Sequence, residues 1–114
     1  RDMVVRRPLH GPGYRYVLHD RRLPGSPDLA FPGRRKVVFV HGCFWHGHDC
    51  GRGFRPSSNV DFWVAKIEGN QARDSRHTAA LKALGWRVFV AWECETRKEQ
   101  LDVLERRLLD FLEA

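Results

Sequence analysis

The chain has no run of eighteen apolar residues, so no helix drawn from it is expected to cross a membrane. Its first residues, Arg1-Asp2-Met3, lack the apolar stretch of a secretory signal. Cysteine is scarce. Three residues cannot all pair with one another, and without a signal segment a disulfide framework is not expected. Internal repeats and low-complexity tracts are missing as well. What remains is 114 residues, 42% hydrophobic and 30% charged, which suits one domain with a core rather than a disordered tail. We read residues 1–114 as that single domain.

Lysine is also in short supply: 4 Lys stand against 16 Arg. Arginine is favoured where a planar donor fork must grip phosphate in a fixed geometry. The overall charge is +6, and it is lopsided. Residues 1–60 carry 11 basic and 4 acidic side chains, whereas residues 61–114 carry 9 and 10. The N-terminal half is therefore read as a phosphate-facing surface.

Residues 2–10 are expected to form a short helix with Met3, Val4 and Leu9 as its apolar members, disturbed by Pro8 and stopped by Gly11-Pro12-Gly13. Tyr14–Leu18 alternates and is rich in β-formers, predicting a strand. The turn residues Leu23-Pro-Gly-Ser-Pro-Asp28 lead into Leu29–Phe31, and the continuous apolar run Lys36–Val40 predicts a buried central strand. His41 to Gly53 is too rich in Gly and His for regular structure. Asn59–Leu84 reads as helix, with Gly69-Asn70 as an expected break and Gly85 as its stop. Trp86–Trp92 reads as a strand whose two tryptophans belong to the core. Thr96-x-x-Glu99 has the form of a capping box for a last helix, with Leu101, Leu104, Leu108 and Phe111 at helical spacing. This order predicts an α/β fold, a sheet with helices on both faces.

Three features carry chemistry. Cys43, His48 and Cys50 fall within eight positions, and Cys94 ends the later strand. Three thiols and an imidazole leave no place for water and suit a closed tetrahedral Zn²⁺ site, with His46 as the alternative imidazole. Such an ion would also hold in order a loop that has no core of its own. Asp28 sits at the mouth of one strand, and the strand Lys36–Val40 ends at His41. A carboxylate there, with a backbone carbonyl, can hold Mg²⁺ at a phosphate, while His41 and His46 move protons or steady developing charge. Finally, Phe44-Trp45 is an aromatic pair on an irregular segment, a form able to wedge between base pairs, and Trp63 adds a third ring unless it packs with Phe62 in the core.

These residues together resemble a known family. Leu23-Pro-Gly-Ser-Pro-Asp28, Phe39-Val-His-Gly-Cys-Phe-Trp-His-Gly-His-Asp-Cys50, Phe62-Trp63, Asn70-x-x-Arg73-Asp74, Leu84-Gly-Trp-Arg-Val88 and Trp92-Glu-Cys94 are similar, in order, to the very-short-patch mismatch repair endonucleases. The resemblance implies a restriction-endonuclease-like fold with a structural zinc site, in which Phe39-Val40-His41 replaces the usual acidic-x-Lys element. It implies a monomer, acting in the bacterial cytoplasm at the nucleoid, that nicks one strand of double-stranded DNA 5′ of the thymine of a T:G mismatch left by 5-methylcytosine deamination. The products carry 3′-hydroxyl and 5′-phosphate ends. A cytosine-5 methyltransferase and mismatch-repair proteins are the implied functional companions.

Carried over by position, Asp28 and the Val40 carbonyl hold catalytic Mg²⁺. His46 is the general base, His41 its partner at the phosphate, and Asp74 the acid that orients a catalytic histidine. Cys43, His48, Cys50 and Cys94 hold Zn²⁺, and Phe44, Trp45 and Trp63 intercalate beside the mismatch. Asp2 stands where the family has a Glu near the metal, and Ser26 where an Arg is usual, which removes one phosphate contact. The family's longer N-terminal arm is expected to be absent or trimmed.

Overall fold

The computed structural model describes residues 6, 14–48 and 58–114. Apart from Arg6, the helix expected over residues 2–10 lies outside them, with Pro8 and the Gly11-Pro12-Gly13 stop, and so do Asp2 and Cys50. Four strands form one mixed sheet in chain order: β1 (Val17–Leu18), β2 (Leu29–Phe31), β3 (Lys36–His41) and β4 (Arg87–Trp92). β1 and β2, and β2 and β3, pair antiparallel; β3 and β4 pair parallel. A parallel pair cannot be joined by a tight turn, so the chain crosses over through α1 (Val60–Ala83). A 3-10 turn over Glu93–Thr96 then leads into α2 (Leu101–Glu113).

The alternation of side chains along the strands divides the core in two. Leu29, Phe31, Val38, Phe89 and Ala91 face α2 and pack on its buried stripe of Leu104, Leu108 and Leu112. Ala30, Val37 and Phe39 point the other way and meet Leu81 of α1, with Val88 and Val90 beside them. A strand covered on both faces has no polar side to show, which is why Val37–Val40 reads as unbroken apolar sequence. At the start of β3 the buried Lys36 donates to the carbonyls of Phe111 at 2.7 Å, Leu112 at 3.0 Å and Ala114 at 2.7 Å. These are carbonyls that the end of α2 leaves without helical partners.

Several local expectations are corrected. The strand expected over Tyr14–Leu18 pairs only at Val17–Leu18, because its neighbour β2 is three residues long; Tyr14 and Tyr16 instead lay their rings against Phe31. Gly69-Asn70 does not break α1, which runs 24 residues. An interior Gly costs a helix only about 1 kcal/mol, and the Asn70 side chain bonds away from its own backbone, to the Trp45 carbonyl. The Thr96-x-x-Glu99 box does not form. The Thr96 hydroxyl donates to the Glu93 carbonyl at 2.7 Å within the 3-10 turn, and α2 begins only after Gln100. Gly85 does stop α1. At φ +88° it lets the Trp86 and Gly85 amides donate back to the Leu81 and Lys82 carbonyls.

Candidate active site and metal centre

The carboxyl ends of β3 and β4 lie side by side, with His41 opposite Trp92. Ligands of α/β sheets bind outside such ends, where the loops leave. Asp28 directly precedes β2, which runs against β3, so it arrives at the same end. The Val40 N–H donates to Asp28 Oδ2 at 2.6 Å, which puts the carboxylate against the backbone of Val40. The His19 ring stands close by, its Nδ1 3.7 Å from Asp28 Oδ1.

After His41 the chain turns tightly. The amides of His46, Gly47 and His48 donate to the carbonyls of Gly42, Phe44 and Cys43. Gly47 sits at φ +66°, and a β-carbon there would stand 2.5 Å from Gln71 Nε2 and 2.8 Å from Ile67 Cγ2. The turn sends His46 and His48 into different neighbourhoods. His46 stacks on His41, with ring centroids 4.0 Å apart and planes within 1°, and its Nδ1 lies 2.5 Å from Asp74 Oδ2. His48 joins Cys43 and Cys94, its Nδ1 3.7 Å from Cys94 Sγ, while the Cys94 N–H donates to Cys43 Sγ at 3.4 Å. Of the two imidazoles that the spacing left open, His48 is the one the structure brings to Cys43 and Cys94. The ligand atoms of Cys43, His48 and Cys94 lie within 4.8 Å of one another, and so do those of His41, His46 and Asp74.

Trp92 stands between the two groups. Its indole stacks on His48 at 4.1 Å and meets the edges of His41 and His46 at 5.3 and 6.2 Å. The expectation that Trp92 is a core residue is therefore corrected: it is only half-buried, and its neighbours are the site's imidazoles. The signal was present in the sequence, since β4 ends at Cys94's doorstep, but strand alternation alone does not tell the core from the strand's end.

Helix α1 forms the opposite wall. Asn70 and Asp74, four positions apart, share one face, and Gln71 lies beside them. Asn70 Nδ2 donates to the Trp45 carbonyl at 2.7 Å and Gln71 Nε2 to the His46 carbonyl at 3.2 Å. These two anchors carried no assigned role in the sequence reading. Asp28, His41, His46 and Asp74 line one cavity of about 250 Å³, with Arg73 and His77 of α1 on its rim. Burial, reinforced by the neighbouring His46, pushes His41 down to about 4, against the pull of Asp74. His41 is thus a neutral imidazole at pH 7.

The rings gather next to this cavity. Phe44, Trp45 and Trp63 lie 5.0 to 5.5 Å apart, and Phe62 adds an edge contact to Trp63 at 5.1 Å. Trp63 does not join the sheet core with Phe62, the alternative the sequence left open, and Phe62 is 61% exposed. Lys66 places its ammonium 5.9 Å from the Trp45 ring.

A family profile described as DNA mismatch endonuclease Vsr matches residues 1–52. The chain is 54% identical over 112 residues to the type II nicking enzyme V.XorIIP of Xanthomonas oryzae, covering 98% of this chain and 81% of that protein. It is 41% identical over 107 residues to the DNA mismatch endonuclease Vsr of Escherichia coli, covering 91% and 69%. The chain belongs to the Vsr family. It is also similar to the type II nicking enzyme V.NmeAIP of Neisseria meningitidis, 41% identical over 114 residues and covering 96% of this chain and 81% of that protein. In this Vsr-family chain the turn at Gly47 is the hinge on which the site is built. Gly47→Ala combines a left-handed backbone with a clash against α1 and is expected to cost about 1–3 kcal/mol. A thermal melt of the variant unchanged from wild type would show that the turn yields freely.

Proposed function

We propose that this chain is a Mg²⁺-dependent endonuclease that nicks one strand of duplex DNA 5′ of the thymine of a T:G mismatch. The observation that carries the reading is the convergence of Asp28, the stacked His41 and His46, and Asp74 on one cavity beside an exposed aromatic cluster. The mixed sheet, with Asp28 at the mouth of β2 and Val40 beside it in β3, fits a restriction-endonuclease-like arrangement. Membership of a mismatch endonuclease family supports DNA as the substrate.

The donors present fit the two ions. The Asp28 carboxylate and the Val40 carbonyl are hard oxygens on adjoining strands, suited to Mg²⁺. Cys43, His48 and Cys94 are soft donors suited to zinc, with Cys50 as the proposed fourth ligand. Bound Mg²⁺ would polarise a phosphoryl oxygen and make water a better nucleophile. Asp74 holds the His46 ring through Nδ1 and fixes its orientation and tautomer. His46 takes the proton of the water attacking phosphorus, and the bond to the 3′ oxygen breaks, leaving 3′-hydroxyl and 5′-phosphate ends. Neutral His41 offers a hydrogen bond to the charge that develops. Phe44, Trp45 and Trp63 insert beside the mispair, and the basic half of the chain holds the backbone.

A labelled duplex with one T:G pair, compared with its T:A counterpart in Mg²⁺, tests the reading. A mispair lowers the cost of unstacking by about 2–3 kcal/mol, roughly a hundredfold in rate. Nicking 5′ of the mismatched thymine with that preference is expected. Equal cutting of both would mean a nuclease with another target, and binding without cutting would mean a zinc-stabilised DNA-binding module.

A further inference from the structure

Neither proton transfer nor metal binding uses Arg73, although it belongs to the segment Asn70-x-x-Arg73-Asp74. It lines the cavity that holds the Asp28 and Asp74 carboxylates, yet among the described residues it forms an ion pair with neither. Its Nη1 donates instead to a neutral acceptor, Asn70 Oδ1, at 3.3 Å. A guanidinium is a planar fork of N–H donors whose charge persists at any working pH, so this one keeps donors and charge for an anion brought from outside. His77 follows one helical turn later on the same side of α1 and lines the same cavity. Across from it runs the turn before Asp28, where Gly25 and Ser26 both take left-handed backbone, at φ +79° and +46°. A β-carbon on Gly25 would stand 3.0 Å from His77 Nδ1 and 3.1 Å from its Cγ. The Nδ1 edge of the imidazole thus rests against the turn, and Nε2 lies on the far side of the ring.

We propose that Arg73 and His77 form a subsite for the phosphate next to the scissile one on the nicked strand, which deepens the endonuclease reading above and rests on it. A strand entering this cavity brings anionic groups to a lining that already carries two carboxylates. A cation at Asp28 answers the scissile phosphate, and the neighbouring phosphate needs a positive partner of its own. Among the described lining residues Arg73 is the one Lys or Arg. Its fork grips two phosphoryl oxygens at once, and His77 donates to the same group from Nε2. Contacts to the backbone set register rather than read bases. A strand pinned there cannot slide along the cavity, so the bond presented to His46 is fixed.

The test pairs changes in the protein with changes in the DNA. T:G duplexes are made with a neutral methylphosphonate in place of the phosphate on one side or the other of the scissile bond. The full chain should bind and nick one of these two duplexes about tenfold less well, or worse, than the unmodified one, the loss expected for a charge-assisted contact. Arg73→Gln and His77→Ala should each be weaker on unmodified DNA and lose far less from that same replacement. A variant that is merely misfolded loses equally on every duplex, so the coupling between residue and phosphate is what the experiment reads. Binding is also followed without Mg²⁺ as salt is raised. Arg73→Gln should lower the slope of log affinity against log salt by about one contact, and Arg73→Lys, which keeps the charge, should retain the slope. Variants as sensitive as wild type to both methylphosphonates, with an unchanged salt slope, overturn the subsite even if the chain nicks T:G duplexes as proposed. A chain that never nicks, yet shows the coupling in binding, defeats the endonuclease reading and leaves the phosphate subsite standing.

Discussion

Asp28→Asn is expected to abolish strand nicking while leaving DNA binding within a few-fold of wild type. The reason lies in what each oxygen of Asp28 does. Oδ2 accepts the Val40 N–H at 2.6 Å, and an Asn carbonyl oxygen can accept the same bond, so the junction of β2 and β3 survives the change. The negative charge that would hold a hard cation does not survive. Metal stabilisation of the charge developing on phosphate is worth several kcal/mol, and each 1.36 kcal/mol is tenfold in rate. The loss should therefore be on the order of a thousandfold or more. In the proposed reading binding is carried elsewhere, by the basic N-terminal half and the Trp45 cluster, and is measured separately by fluorescence anisotropy on the same duplex. A variant that cuts at the wild-type rate would remove Asp28 from the metal and return it to a turn.

Stripping the soft-metal centre should have the largest effect on stability. Cys43 follows β3 and Cys94 follows β4, so an ion held between them clamps the carboxyl ends of the two parallel strands where the active site sits. Cys43 is 1% exposed, and a bound cation would offset the cost of holding a thiolate at so buried a position. Structural zinc contributes about 10–16 kcal/mol in small domains, as much as the whole stability of a typical fold, about 5–15 kcal/mol. Chelation is expected to lower the midpoint of thermal unfolding, followed by circular dichroism, by at least about 10 °C. One equivalent of zinc should restore it. Because the measurement needs no DNA and no Mg²⁺, it separates the proposed structural ion from the proposed catalytic one. Superimposable melts with and without chelator would count against the thiolate centre.

Donor chemistry was legible before any coordinates. Cysteines too few to pair, histidines packed into a glycine-rich loop, and one aspartate before a buried strand point to metal-binding donors, because ligand preference is a property of side-chain atoms. The α/β layering was legible for a similar reason: periods of two and of 3.6 follow from local backbone geometry. The end of α1 at Gly85 was readable too, since a glycine in the left-handed region stops a helix wherever it stands.

Other features depended on contacts distant in sequence. That α1 continues through Gly69-Asn70 depends on Asn70 finding the Trp45 carbonyl, 25 positions away. That Thr96 closes a 3-10 turn rather than capping α2 depends on where β4 delivers the chain. The division of labour between His46 and His48 is the clearest case. The two are separated by a single glycine, and no periodicity distinguishes them in an irregular loop. Asp74 comes from the crossover helix and Cys94 from the end of the parallel strand, so the sites they complete exist only once β3, α1 and β4 have packed. Sequence alone determined which atoms are available to bind metal and move protons; the tertiary fold decided which of them meet, because those distances are set by packing between elements far apart in the chain.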